Sequence, residues 1–375
     1  MPASPENVAR TGPPVGTMRT QMSRNHFWIT ALLLAVVAGW SACSTAPSHL
    51  AYVTLSNNQV AAYRVDDSSG LLTPMAGSPY PAGIFPTAIA VHPSRKFAYV
   101  ANTGEGDIAL FTINRATGAL NEVPPRVLTG TNPTSLAFRS DGDELFVANA
   151  GSGTLSVFSI NTRTGNLNPI SGSPFSCGVS PASLAVSTSN VLYAVDSTSN
   201  VVFAFAIDTT TGGLTAVPGS PFPAGGSHPS SIAMDASGKF LYTSNLLSNT
   251  LSGFAIASNG SLTSIAGSPF AAGTGPISVA ADPAGEFIYV ANQGSNTLSK
   301  FALSSTGAPS PAGSPVPVGR SPVFVALDST GNFLFVGNGL SANLSEFAVN
   351  SSGLAKVDQS PYATPSAPTA LTTVK

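Results

Sequence analysis

The chain has 375 residues and a formal net charge of −2, and only 9% of its residues are charged, against about 25% in an average soluble domain. Its 36 Gly and 31 Pro recur at fixed offsets, which indicates turns and not a disordered tract. No cluster of basic residues is present, so we expect no nucleic-acid partner.

Residues 1–42 predict an export signal. Arg24 precedes an apolar run, residues 27–38, that ends in small residues before Cys43. A basic start, an apolar core of about a dozen residues and small residues at the cleavage site are typical of a signal peptide. The run is too short to span a membrane. Met22 is the more natural first residue of such a signal.

The end of this segment, Ser41-Ala42-Cys43, resembles a bacterial lipobox, although Trp40 stands where that pattern prefers Leu. The resemblance implies that Cys43 is lipidated and begins the mature protein, with a short linker over residues 43–49. If Cys43 carries lipid, Cys177 is left without a partner for an intramolecular disulfide. We therefore expect an exported protein, in the periplasm or at the cell surface, whose membrane contact is the lipid anchor.

Residues 50–375 repeat one pattern seven times. An aromatic residue within an apolar strand marks each copy, at intervals of 46 to 49 residues: Tyr52, Tyr99, Phe146, Tyr193, Tyr242, Tyr289 and Phe335. A Pro that opens an apolar segment, here called the marker Pro, keeps the same period: Pro86, Pro133, Pro181, Pro229, Pro276, Pro322 and Pro368. A period in the forties predicts propeller blades or a helical solenoid.

One copy, residues 133–175, decides between these two. Residues 133–138 alternate apolar with small or polar side chains, and residues 144–149 and 155–160 form two more apolar runs separated by turn residues. The fourth segment, residues 166–175, contains Pro and is therefore expected at a sheet edge. The sequence predicts an all-β fold, a seven-bladed β-propeller with four antiparallel strands in each blade.

The two ends of the repeat region predict how the ring closes. The first copy begins with a second-strand motif at Leu50, and the chain stops after a first-strand motif, residues 368–374. The C-terminal strand should therefore supply the innermost strand of the N-terminal blade. We expect a closed monomer.

The motifs Tyr99-Val-Ala-Asn102, Phe146-Val-Ala-Asn149 and Tyr289-Val-Ala-Asn292 resemble the repeat of the lactonase-type seven-bladed propellers. This family includes bacterial 6-phosphogluconolactonases. The resemblance covers residues 50–375. It implies the propeller fold, and it makes hydrolysis of a lactone, a cyclic ester, one expectation for the activity.

Two sets of residues are predicted on the face where propeller ligands usually bind, around the axial channel. The first set precedes the marker prolines and includes Phe85, Asn132, Ser180, His228 and Arg320. The second set ends the second strands: Asn102, Asn149, Asp196, Asn245, Asn292 and Asn338. The asparagines have an equally simple interpretation as turn formers, because Asn bonds its own backbone and tolerates left-handed conformations.

The candidate catalytic residues are His228, Arg320 and Asp196. An imidazole can act as a general base, a guanidinium can hold a carboxylate or stabilise an oxyanion, and a carboxylate can orient water. The alternative is that His228 and Arg320 are ordinary exposed loop residues, since the face offers few other charges. Asp66-Asp67 and residues 141–144 lack the ligand number and spacing of a calcium site. We therefore expect neither a metal nor another cofactor.

Two functions are the main candidates for these residues, and a purely structural role in the cell envelope is a third. The scarcity of catalytic groups and the export signal favour a tethered binding or scaffold protein that recognises a small molecule, a glycan or another protein. The alternative is a lactone hydrolase that uses His228 and Arg320.

Overall fold

The computed structural model describes residues 49–350 and 353–375, so the predicted signal peptide and Cys43 lie outside the described residues. Strands and turns account for the described chain, and they form seven antiparallel sheets arranged as the blades of a β-propeller. The predicted fold class is confirmed. Within this described part, no helix has the length and apolar character needed to cross a membrane.

Each blade is numbered by its marker Pro, beginning with Pro368 for blade 1 and Pro86 for blade 2. The innermost strands of blades 1 to 7 are Pro368–Val374, Pro86–Val91, Pro133–Phe138, Pro181–Val186, Pro229–Met234, Pro276–Ala281 and Pro322–Leu327. The second strands are Leu50–Leu55, Phe97–Asn102, Glu144–Asn149, Val191–Asp196, Phe240–Asn245, Phe287–Asn292 and Phe333–Asn338. The third strands are Gln59–Val65, Asp107–Ile113, Thr154–Ile160, Val201–Ile207, Thr250–Ile256, Thr297–Leu303 and Asn343–Asn350.

The outermost strand is one continuous element in blade 2, Leu120–Leu128, and two short pieces in each other blade. These pieces are Leu72–Pro74 with Tyr80–Pro81, Leu167–Pro169 with Phe175–Ser176, Leu214–Ala216 with Phe222–Pro223, Leu262–Ser264 with Phe270–Ala271, Pro309–Pro311 with Val316–Pro317, and Gly353–Lys356 with Tyr362–Ala363. Prolines are tolerated in these outermost strands because one edge of each strand has no neighbour in the blade, so the missing N–H of Pro breaks no hydrogen bond between strands.

The ring closes as the sequence predicts. Pro368–Val374 pairs antiparallel with Leu50–Leu55, in a register that sets Tyr52 opposite Thr372. The hydroxyl of Thr369 also donates to the Pro86 carbonyl of blade 2, at 2.6 Å. The two ends of the described chain are thus joined in one sheet.

The core lies between neighbouring blades. The marker aromatics of the second strands have essentially no exposed surface, and each packs against apolar side chains of the next blade. Small residues make room where strands converge. At Gly337, for example, a Cβ would lie 2.1 Å from the Phe324 ring, so only glycine fits beside that ring.

The wheel has two chemically different faces. The first, called the channel face, consists of the hairpins between second and third strands and of the connections that lead into each innermost strand. The opposite face carries the hairpins between innermost and second strands and the turns that follow the third strands. Most charged side chains belong to this opposite, charged face, among them Arg95, Lys96, Arg139, Asp141, Asp143, Arg163, Asp208, Lys239 and Glu286.

Candidate functional site

The residues that end the second strands are buried in the blades. Asn102, Asn149, Asp196, Asn245, Asn292 and Asn338 each have 0% exposed surface. The asparagine amides bond the neighbouring third strand: Asn149 Nδ2 donates to Ser156 Oγ at 3.0 Å, and Asn245 Nδ2 donates to Ser252 Oγ at 2.8 Å. In this conformation the side chains hold the blade together and present no surface to a ligand.

A glycine three residues before the marker Pro packs onto each of these side chains in blades 2 to 7. A Cβ at Gly226 would lie 2.4 Å from Asn245 Nδ2, and one at Gly273 would lie 2.4 Å from Asn292 Cγ. At Gly83 and Gly273 the glycine N–H also donates to the asparagine Oδ1, at 3.1 Å in both cases. The sequence interpretation missed this partnership, although the fixed spacing of the glycine from the marker Pro is the signal that could have revealed it.

Asp196 is the acidic member of this set, and its carboxylate is fully engaged. Oδ2 accepts from the backbone N–H groups of Val179 and Ser180, and Oδ1 accepts from those of Thr198 and Ser199. Burial alone raises the pKa of Asp196, but these backbone hydrogen bonds outweigh it and leave the pKa below its usual value. The carboxylate therefore stays ionised and fixes the loop before the marker Pro of blade 4.

The residues that precede the marker prolines do reach the surface. Phe85, Asn132 and Arg320 are exposed, and Ser180 and His228 are half-buried. His228 has a left-handed backbone with a φ of 57°, and its N–H donates to Asn200 Oδ1 of the preceding blade at 2.6 Å. Such bonds between neighbouring hairpins and connections hold the channel face in place.

His228 and Arg320 are the candidate polar groups that have no side-chain partner. Within residues 49–350 and 353–375, neither the imidazole of His228 nor the guanidinium of Arg320 makes a hydrogen bond or ion pair. The backbone N–H of Arg320 donates to Ser341 Oγ at 2.7 Å, so its loop is anchored although its head group is free. The two residues lie on blades 5 and 7, with blade 6 between them.

Other charges on the channel face are paired. Arg126 contacts Glu105 Oε2 at 2.6 Å and Glu122 Oε1 at 2.6 Å, and Glu105 also accepts from the N–H of Ile84 at 3.1 Å. Asp107 accepts from the Asn102 amide at 2.7 Å. Among the described residues of this face, His228 and Arg320 are thus left available to a ligand.

Large exposed apolar side chains also belong to the channel face. They are Ile84, Phe85, Leu128, Val179, Leu247 and Leu340, with exposed fractions from 44% to 75%. The face therefore combines few charges with six exposed apolar side chains. No group of three or more His, Cys, Asp or Glu side chains is arranged to hold a metal ion in the part of the chain that the structure describes.

With this geometry established, known proteins can be compared. The family described as "Lactonase, 7-bladed beta-propeller" matches residues 45–177, 171–276, 218–327 and 264–370, which together cover most of the chain. No curated protein matches significantly.

Solved structures share the fold at low sequence identity. A Bacteroides uniformis protein provisionally assigned as a 6-phosphogluconolactonase has a TM-score of 0.77 and 20% identity, over 88% of this chain and 100% of its own. The periplasmic gluconolactonase PpgL of Pseudomonas aeruginosa has a TM-score of 0.76 and 23% identity, over 87% and 99%. Hydrazine synthase of Kuenenia stuttgartiensis has a TM-score of 0.60 and 16% identity, over 83% and 98%. One wheel thus carries different chemistries, so the fold alone does not name the reaction.

Proposed function

The chain belongs to the family of seven-bladed β-propeller lactonases, and we propose that it hydrolyses a small lactone at its channel face. The observation that carries the proposal is the presence there of a free imidazole and a free guanidinium, His228 and Arg320, on anchored loops. The sequence alone favours a binding protein, and the family match shifts the balance to the hydrolase.

The two residues can divide the reaction between them. His228 takes a proton from water as the water oxygen attacks the lactone carbonyl carbon, and Arg320 stabilises the oxyanion of the tetrahedral intermediate. The ring C–O bond then breaks. The imidazolium of His228 returns its proton to the departing alkoxide, which leaves an open-chain hydroxy acid. Arg320 can afterwards hold the new carboxylate until it dissociates.

The charges of the face favour a lactone without a phosphate group. A phosphoryl dianion is usually held by more than one cation. Of the two arginines described on this face, Arg126 is engaged by two glutamates, and Arg320 has no side-chain partner among the described residues. A neutral lactone carbonyl needs one donor and incurs no repulsion from Glu105.

Hydrolysis of a lactone panel tests the proposal. Replacing His228→Ala removes the base, and we expect kcat to fall by about 10² to 10⁴. Replacing Arg320→Ala removes an oxyanion donor and should lower kcat by about 10² to 10³. Arg320→Lys keeps the charge and should lose less. Arg163→Ala, an exposed arginine of the charged face, is the matched control and should leave kcat unchanged.

Activity that survives both alanine changes would refute this site. Because neither side chain has a partner among the residues that the structure describes, each variant should keep the thermal midpoint of the wild type, and a loss of activity can then be separated from a loss of folding.

A binding protein is the second candidate, and Asp196 favours it. Hydrolases commonly orient a catalytic imidazole with a carboxylate, whereas the Asp196 carboxylate is occupied by four backbone N–H groups. Lactone binding measured by calorimetry, with no turnover by wild-type protein, would favour this candidate over the hydrolase.

We also propose that the protein is exported and tethered through Cys43, as Arg24, the apolar run and Ser41-Ala42-Cys43 indicate. The chain enters the propeller on the charged face, where His49 Nδ1 lies 3.1 Å from Asp67 Oδ1. Five residues lie between Cys43 and His49, and this stretch of chain can span at most about 20 Å. Membrane fractionation tests the anchor: Cys43→Ser should release the protein, and unchanged membrane association would contradict the proposal.

A further inference from the structure

Two exposed leucines distinguish the hairpins of blades 5 and 7. Leu247 and Leu340 occupy the second position after the strand-end asparagine and are 70% and 71% exposed. The equivalent residues in blades 2, 3, 4 and 6 are Gly104, Gly151, Thr198 and Gly294. Leucine thus occurs at this position in the two blades that carry His228 and Arg320.

Backbone hydrogen bonds hold each leucine beside its candidate polar residue. The N–H of Leu247 donates to the Ser227 carbonyl at 3.2 Å, and that of Leu246 donates to the His228 carbonyl at 3.0 Å. In blade 7 the N–H of Leu340 donates to the Arg320 carbonyl itself, at 3.2 Å. Each leucine and its candidate polar residue therefore lie on adjoining, hydrogen-bonded segments of the same blade.

These leucines lie outside the apolar core. Neither belongs to any of the apolar clusters that join the blades. Where the equivalent residue is glycine, side chains leave little space: a Cβ at Gly104 would lie 2.6 Å from Ile84 Cγ2, and one at Gly294 would lie 3.0 Å from Thr274 Cγ2. Single exposed apolar residues are common on proteins, but here they coincide with the two free polar groups.

We propose that the substrate is a lactone bearing a hydrocarbon chain, which Leu247 and Leu340 contact while His228 and Arg320 act on the ring. This inference rests on the proposed lactonase function and narrows its substrate class. Contact between the leucines and an alkyl chain removes apolar surface of both from water, which favours binding. Few charged groups lie nearby, so few have to be desolvated. A polyhydroxylated sugar lactone would instead need hydrogen-bonding side chains at the positions that these leucines occupy.

A series of γ-lactones with lengthening alkyl chains tests the inference, from γ-butyrolactone through γ-hexalactone and γ-octalactone to γ-decalactone, with glucono-δ-lactone as the polar comparison. We expect kcat/KM to rise by about twofold to fourfold for each added methylene that the leucines cover. Values that stay level or fall with chain length would overturn the inference.

The double variant Leu247→Ser with Leu340→Ser should flatten this dependence, measured as the ratio of kcat/KM for γ-decalactone to that for γ-butyrolactone. Leu128→Ser is the matched control: this leucine of the same face is 75% exposed but lies in blade 2, and its loss should leave the ratio unchanged. An equal effect of both changes, or none from the double variant, would contradict the assignment of the two leucines.

The outcomes separate the inference from the function on which it rests. Turnover of glucono-δ-lactone without turnover of the alkyl lactones would support the lactonase and overturn the hydrocarbon substrate. Hydrolysis of none of the lactones would overturn both.

Discussion

The interface that closes the ring, between blades 7 and 1, differs from the interfaces formed by consecutive copies of the repeat. In four of the latter, the marker tyrosine of one blade donates its hydroxyl to a glycine carbonyl in the next. These pairs are Tyr52–Gly118 at 2.7 Å, Tyr99–Gly165 at 2.6 Å, Tyr193–Gly260 at 2.9 Å and Tyr242–Gly307 at 2.6 Å. The marker residue of blade 7 is Phe335, which, like Phe146 of blade 3, has no hydroxyl to donate.

The closing interface instead buries ionisable groups. Glu346 of blade 7 is 0% exposed, and neither of its carboxyl oxygens has a hydrogen-bond partner among the described residues. A Cβ at Gly70 of blade 1 would lie 2.9 Å from Glu346 Oε1. His49 and Asp328 are also buried nearby, with His49 Nε2 at 3.7 Å from Asp328 Oδ2. Four of the six interfaces between consecutive copies thus contain a neutral tyrosine–glycine hydrogen bond, whereas the interface between blades 7 and 1 contains buried ionisable side chains.

Removing the closing strand should have the largest effect. Deleting residues 366–375 removes the strand Pro368–Val374, so Leu50–Leu55 loses its inner neighbour and the apolar layer of blade 1 is opened to water. We expect loss of the cooperative unfolding transition or association into oligomers, measured by thermal circular dichroism and size-exclusion chromatography with light scattering.

Deleting Lys375 alone is the control for that truncation. It removes the partly exposed ion pair of Lys375 with Asp67, at 2.8 Å, and should cost less than about 1 kcal/mol of the free energy of unfolding. A monomer that still unfolds cooperatively without residues 366–375 would show that the closing strand is dispensable.

Glu346→Gln should have the next largest effect. Burial, and then the charge of Asp328, raise the pKa of Glu346 to about 9 from its ordinary 4.5. Between these values the unfolded chain binds fewer protons at this site than the folded one. Stability due to Glu346 is therefore complete below about pH 4.5 and is lost as the pH rises towards 9, at up to about 1.4 kcal/mol per pH unit.

Glutamine cannot ionise, so we expect the variant to lose that part of the pH dependence. Urea unfolding at pH 5, 7 and 9 measures it. The variant leaves the other ionisable groups near the closing interface unchanged, namely His49, Asp67, Asp328, Tyr362 and Lys375. Burial lowers the pKa of His49 despite the opposing carboxylates, so this residue favours the neutral form. Glu286→Gln, at an exposed glutamate of the charged face, is the control, and parallel curves for all three proteins would contradict the prediction.

The wheel could be predicted from the sequence because its causes repeat. Seven marker aromatics and seven marker prolines each indicate the spacing between blades, so the same prediction is supported seven times. The partial copies at Leu50 and Pro368 indicate where the ring closes. The position of His228 and Arg320 on one face followed from the same register. A feature that occurs in a single blade has no repeated pattern, so the sequence could not predict it in this way.

Glu346 shows why. Its repeat-equivalents in blades 2 and 5 are Leu110 and Gly253, and no local pattern tells a buried glutamate from a solvated one. The strand-end asparagines could be placed at the right end of the blade, but whether their amides face water or the third strand depends on Ser156, Ser252 and similar partners seven residues later. The sequence did not single out Leu247 and Leu340. The structure did, because hydrogen bonds place them beside His228 and Arg320.

Tyr99→Phe should have the smallest effect, because it removes a single hydroxyl. It makes the interface between blades 2 and 3 resemble the closing interface, where Phe335 has no hydroxyl. The Tyr99 hydroxyl is buried, so the change removes its bond to the Gly165 carbonyl and leaves that acceptor unsatisfied, at a cost of about 1 to 2 kcal/mol in the free energy of unfolding. Tyr80→Phe is the matched control, since the Tyr80 hydroxyl bonds Ala76 within its own rim turn, at 3.3 Å. Urea denaturation measures both. If Tyr99→Phe costs no more than Tyr80→Phe, the hydroxyl bond does not stabilise the interface between blades 2 and 3, and the missing hydroxyl of Phe335 has no energetic consequence at the closing interface.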